Sequence, residues 1–157
     1  MMNSPGGVCF FIDHRDAPER LYPTLLQAVE RHIVQYGVTA FLVGGYGAFD
    51  RMAARAVREA KTAHPAVTLS LVLAYLPEPG RTTDATGCDG TIYPEGLETV
   101  PRRYAILRRN QWAVDVSDYL IAYVAHGWGG AAQTLEHART KQKRGGLVIT
   151  NLAAQMP

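Results

Sequence analysis

Three short segments carry residue types that do chemistry when strand ends bring them together. They are "DHRD" (Asp13, His14, Arg15, Asp16), "GGYGAFDR" (Gly44 to Arg51) and "AHGWGGAAQT" (Ala125 to Thr134). Gly44, Gly45, Tyr46 and Gly47 run into one amphipathic segment, and Gly129-Gly130 precede another that holds Thr134 and Glu136 in its first two turns. At a helix start the unpaired N–H groups and the positive end of the dipole favour an anion, so a phosphate or carboxylate fits either junction. Glycine also lets a ligand approach the backbone closely. Neither segment has the Lys and Ser/Thr of a P-loop or the spacing of a dinucleotide fingerprint, so each reads either as a tight strand-to-helix turn or as a binding loop. Trp128 is suited to stacking on a base or sugar, or to lying over the loop as a lid. Glu136 reads as a ligand for ribose hydroxyls, an acid or base, or a solvated side chain, and Asp50 as a dipole or capping partner for its helix.

A fourth segment, "PRRYAILRRNQWAVDVSD", places Arg102, Arg103, Arg108 and Arg109 on one helix. Helical periodicity puts Ile106, Leu107, Ala113 and Val114 on its inner face, Arg108 outward, Asn110 near the middle of the apolar stripe and Arg103 two turns earlier on that side. A polar side chain on such a face needs partners, so Asn110 and Arg103 either tie down the adjacent loop or face a ligand pocket. Arg109 flanks the stripe and is a candidate anion ligand. Among the histidines, His14 stands directly at a strand end beside Arg15, and His126 lies in the glycine loop. His32 and His64 are expected at the surface or an edge, and His137 in solvent. No histidine pair has a metal spacing, and no nucleophile elbow or Cys/His pair appears, so neither a metal nor a cofactor is expected.

Short apolar runs alternating with longer amphipathic segments must position these groups. Val8–Ile12, Ala40–Val43, Val67–Leu73, Tyr119–Val124 and Leu147–Thr150 are almost continuously apolar, which predicts five buried, mostly parallel strands with helices on both faces. Phe49, Met52, Ala53, Ala56, Val57 and Ala60 form an unbroken helical stripe, and Leu25, Ala28, Val29, His32, Ile33 and Tyr36 a second, opened near Pro23 and closed at Gly37. Further helices are expected over Arg102 to Val116 and Ala131 to Lys143. Leu76 to Glu98, rich in Pro, Gly, Thr and Asp, reads as one long irregular segment.

The chain has 157 residues, 47% of them hydrophobic, which fits one globular domain over residues 1–157. Its 16 basic and 14 acidic residues leave a net charge of +2, too small a field to drive binding to nucleic acid or anionic lipid, so nucleic acid is not the expected partner. Cys9 and Cys88 are far apart and match no metal spacing; a reducing, cytoplasmic setting is expected. No apolar run approaches the roughly 20 residues that cross a bilayer.

The segments "FFIDHRDAPE", "VGGYGAFDRMAARAVREAK", "PEGLETVPRRYAILRRNQW", "SDYLIAY" and "HGWGGAAQTLEHA" follow one another along nearly the whole chain. In that order they resemble the SLOG superfamily, the Rossmann-like group joining the DNA-processing protein A family with the Lonely Guy phosphoribohydrolases, and in particular a small bacterial and phage-associated branch. The resemblance implies a three-layer Rossmann-like α/β fold, a nucleotide-related ligand and pairing into a homodimer through helices. The Lonely Guy enzymes cleave the N-glycosidic bond of nucleoside monophosphates with an arginine upstream of a Ser/Ala-Asp strand and a glutamate within Pro-Gly-Gly-x-Gly-Thr-x-x-Glu. Arg109 stands at the matching distance from Ser117-Asp118. The glycine motif departs: no proline precedes Gly129, "AAQ" stands where x-Gly belongs, and His137 rather than Glu136 takes the glutamate's position. Asp13 also replaces a glycine usual in the close branch.

Binding or sensing of a nucleotide-derived phosphate ligand survives these departures best, with His14, Arg15, Gly44 to Gly47, Arg103, Asn110, Trp128, Gly129, Gly130 and Thr134 as binding residues. Hydrolysis of a nucleoside monophosphate by Arg109 and Glu136, and binding of single-stranded DNA, are the alternatives.

Overall fold

In the computed structural model the described residues are 6–14, 17–45, 47–76 and 87–154. They form β1 (Gly7–Asp13), α1 (Tyr22–Val34), β2 (Val38–Val43), α2 (Gly47–Lys61), β3 (Thr68–Val72), β4 (Gly90–Ile92), α3 (Ala105–Val116), β5 (Tyr119–Tyr123), α4 (Gly130–Lys143) and β6 (Val148–Asn151). The strands make one six-stranded sheet in the order β4-β3-β2-β1-β5-β6, and every adjacent pair is parallel. This is the expected Rossmann-like α/β architecture.

The apolar runs are continuous because each strand feeds two cores. Cys9, Phe11, Phe41 and Val43 point into the layer under α1 and α2, whereas Phe10, Ile12 and Leu42 point into the layer that Ala113, Val114, Leu135 and Ala138 supply from α3 and α4. Burial on both faces removes the alternation of polar and apolar residues that a half-exposed sheet would show.

Two details depart from expectation. Within the segment read as irregular, Gly90–Ile92 adds a sixth strand beside β3. Its entry is pinned by Asp89, whose carboxylate accepts from the Leu69 N–H at 2.7 Å and from Lys61 Nζ at 2.7 and 2.8 Å. Tertiary partners therefore make this strand, not its own composition. His32, expected at a surface or edge, is fully buried. It occupies one position of the apolar stripe of α1, donates from Nδ1 to the Ala28 carbonyl at 2.6 Å, and meets Tyr36 and Tyr119 edge-on. Burial holds its pKa below the ordinary histidine value.

The order of the strands fixes where a ligand can sit. From β1 the chain runs outward through β2, β3 and β4, then returns to place β5 on the other side of β1. The connections after β1 and β5 therefore diverge, leaving a crevice above their carboxyl ends. No helix among the described residues is long and apolar enough to cross a membrane.

Candidate functional site

A cavity of about 340 Å³ lies at this switch point, lined by Asp13 at the end of β1 and His14 after it, Gly44 after β2, Asp50 on α2, Ile106, Arg109 and Asn110 on α3, His126, Trp128 and Gly129 in the β5–α4 loop, and Gly130 and Ala131 at the start of α4. His14, Gly44, Arg109, Asn110, Trp128, Gly129 and Gly130 thus come together from four different connections. Arg15 and Tyr46 lie outside the described residues.

His14 and His126 meet across the gap between β1 and β5. Their rings stack with centroids 3.4 Å apart and planes 15° apart, and the backbone N–H of His126 donates to His14 Nε2 at 3.3 Å. An accepting Nε2 carries no proton, so His14 is the neutral tautomer protonated at Nδ1. Burial, and next the neighbouring His126, hold its pKa below the ordinary value. Trp128 covers the opposite face of His126 at 3.7 Å and 16°. Three rings therefore form a continuous pile along the β5–α4 loop.

Arg109 is 97% removed from solvent and belongs to the middle of the buried stripe of α3, between Ala105 and Ala113. Its Nη1 donates to the carbonyls of Gly44 at 3.1 Å and Val72 at 2.6 Å, and its Nε donates to Asn110 Oδ1 at 2.8 Å. One guanidinium thus joins the carboxyl ends of β2 and β3 to α3. Asn110 is half-buried at the edge of the stripe rather than at its centre. Arg103 lies on a separate turn, Arg102–Tyr104; it is exposed and packs over the Tyr104 ring at 4.9 Å, outside the cavity lining.

The glycines divide by the reason for their presence. At Gly44 a Cβ would come within 3.0 Å of Arg109 Nη2, and at Gly45, where φ is +83°, within 2.7 Å of a Leu71 methyl. Gly47 has φ +89°. Protein packing and backbone conformation account for all three. Gly129, with φ 91° and ψ 176°, sits in a region that only glycine enters readily. Gly130, the first residue of α4, has neither a positive φ nor any atom within 4 Å of its would-be Cβ, and it faces the cavity. Thr134 is fully buried, and its hydroxyl donates to the Gly130 carbonyl at 3.0 Å. It supports the start of α4 from behind.

Glu136 lines a second cavity, of about 450 Å³, together with His126, Gly127, Gln133 and Arg139. It is exposed and faces Arg139 at 3.4 Å. Arg109 and Glu136 thus border different cavities, with His126 on the wall common to both. Ser117 and Asp118 sit at the opposite end of the sheet, where the Asp118 carboxylate accepts from the Val8 N–H at 3.0 Å. Among the described residues no group of three or more His, Cys, Asp or Glu side chains is arranged to hold a metal ion.

Sequence reasoning passed over Asp13 and Asp50 as cavity residues, and over His126 as a partner of His14. The available signal was the recurrence of a histidine just beyond each of two apolar runs; the missing information was that β1 and β5 are neighbours.

No protein-family model matches the sequence, and no curated protein does. Solved structures do match in fold. The molybdenum cofactor binding protein of Rippkaea orientalis superposes with a TM-score of 0.58 at 18% identity, over 98% of this chain and 82% of that one. DNA processing protein A of Helicobacter pylori, described for its single-stranded DNA binding mode, gives 0.56 at 17%, over 92% and 65%. The same protein of Streptococcus pneumoniae gives 0.62 at 12%, over 97% and 62%. This chain spans just under two thirds of those two DNA processing proteins. The chain thus shares a Rossmann-like α/β fold with these proteins.

Proposed function

We propose that the protein binds or senses a nucleotide or nucleotide-derived phosphate ligand in the cavity between the ends of β1 and β5. The observation that carries this reading is Gly130. No contact with the protein and no backbone angle requires glycine there, yet the residue opens a helix of 14 residues onto the cavity. A missing side chain at that point leaves the first N–H groups of α4 open to an anion. Trp128 beside it offers a flat surface suited to a base.

Thermal shift and calorimetry against nucleoside mono-, di- and triphosphates, dinucleotides and cyclic dinucleotides test the proposal. A stabilising ligand is expected, with Gly130→Ala folding normally but binding it at least tenfold more weakly. A flat response of the native protein across the panel would sink the reading.

A second reading, single-stranded DNA binding, is favoured by one surface feature. Arg102 packs over Tyr75 at 4.3 Å and Arg103 over Tyr104 at 4.9 Å, and two structural neighbours are DNA processing proteins. Interleaved cations and rings suit a strand of bases. Retardation of an oligonucleotide that weakens steeply with salt, and weakens further in Arg102→Ala/Arg103→Ala, is the expected result under this reading. Hydrolysis of a nucleoside monophosphate has less geometric support, because Arg109 and Glu136 border different cavities.

A further inference from the structure

The ring pile of His14, His126 and Trp128 leads to an inference that rests on the nucleotide reading and assigns the two ends of the ligand. His126 covers one face of the Trp128 indole at 3.7 Å, yet Trp128 remains 72% exposed, so the other face opens outward at the rim of the cavity. A solitary tryptophan on a glycine-rich loop would sample several rotamers and lose that freedom on binding. Here two imidazoles back it. His126 lies parallel to it within 16°. His14 lies parallel to His126 within 15°, and the His126 N–H to His14 Nε2 bond ties the loop to β1. The indole is thereby held as a preassembled flat surface. Its distance along the chain from Gly130 is two residues, short enough for one ligand to touch both.

We propose that the pile is a stacking platform: a planar aromatic heterocycle of the ligand lies on the outward face of Trp128 as the fourth ring, while its phosphate meets the N-terminus of α4. The ligand class is therefore a heterocycle phosphate rather than a bare sugar phosphate or inorganic anion. A nucleobase and a pterin share this chemistry, and the experiment separates them.

Full-length protein, Trp128→Phe and Trp128→Ala are each titrated with adenosine 5′-monophosphate, guanosine 5′-monophosphate, the two nucleosides, a pterin with and without phosphate, and ribose 5-phosphate. Heat and tryptophan emission are read in parallel. The expected result is tighter binding of at least one heterocycle phosphate than of ribose 5-phosphate. That heterocycle, with or without its phosphate, quenches emission. Trp128→Ala binds roughly 5- to 100-fold more weakly and loses the quenching, since Trp112 is then the remaining tryptophan, and Trp128→Phe recovers most of the affinity. Which heterocycle quenches names the source. If ribose 5-phosphate binds as tightly as every heterocycle phosphate and Trp128→Ala changes neither, the platform is overturned and the phosphate reading stands. If heterocycles bind through Trp128 with no gain from phosphate, the platform stands and the phosphate reading falls. If no probe binds, both fall.

Discussion

The guanidinium of Arg109 occupies the space that a side chain on Gly44 would need. A Cβ there would lie 3.0 Å from Nη2, 3.1 Å from Cζ and 3.2 Å from Nη1. The group cannot retreat cheaply, because Nη1 is bonded to the carbonyls of Gly44 and Val72 and Nε to Asn110. Gly44→Ala is therefore expected to destabilise by about 1–2 kcal/mol through overpacking. Arg109→Leu removes the donor from two carbonyls and is expected to cost about 2–4 kcal/mol. Denaturant unfolding of both single variants and the double variant checks the coupling: the double should cost clearly less than the sum, because without the guanidinium an alanine at 44 fits. Simple additivity would contradict the contact.

Gly129 and Gly130 are neighbours with opposite expectations. Gly129→Ala forces a side chain into φ 91°, ψ 176° and is expected to lose about 1–3 kcal/mol. Gly130→Ala places a methyl group in open space at the first residue of a helix and is expected to gain about 0.4–1 kcal/mol by restricting the unfolded chain. The order of melting temperatures should be Gly130→Ala, then native, then Gly129→Ala. Equal melting temperatures for the two variants would show that the loop adopts another conformation.

Most of the architecture is readable from residue types because it depends on local pattern. The apolar runs around Phe10, Leu42, Leu71 and Leu120 lie in strands, and the stripe from Phe49 to Ala60 lies in α2. What escapes the sequence depends on contacts between distant elements. Gly90–Ile92 has no strand-like run and becomes one because Asp89 ties it to Leu69 and Lys61. Arg109 reads as a flanking cation because its partners, the Gly44 and Val72 carbonyls, are 65 and 37 residues away. The His14–His126 pair spans 112 residues and follows only from β1 lying beside β5. Local periodicity places elements; the site is built from their order.

Glu136 is exposed, and its ionic contact is with Arg139 on its own helix. Such pairs contribute about 0.3–0.5 kcal/mol. Glu136→Gln is therefore expected to shift stability by no more than about 0.5 kcal/mol and to leave affinity for a ligand in the Gly130 cavity unchanged, as calorimetry would register. Loss of that affinity would mean that the ligand extends past His126 into the second cavity, which Glu136 borders.

Protonation of His14 should weaken the fold in mildly acidic solution. The groups around its cavity are Asp13 on its own strand, Asp50 on α2, Arg109 on α3 and His126 on the β5–α4 loop. The carboxylates favour a charged imidazole and the other two oppose it, but burial leads and the folded-state pKa lies below the ordinary value. The unfolded chain thus binds the proton more readily, so the stabilisation is complete above about pH 6.5 and is lost as pH falls through the folded pKa. Buried His32 shifts in the same direction and adds to the slope. His14→Phe keeps a ring against His126 and removes the titration. Unfolding free energies measured from pH 7.5 to pH 5 should fall less steeply for His14→Phe than for the native protein. As pH falls through the folded pKa of His14 the native protein should also lose the tertiary circular dichroism of stacked Trp128 before global unfolding, because a charged Nε2 can no longer accept from the His126 N–H. Parallel slopes for the two proteins would show that His14 titrates as it does in the unfolded chain.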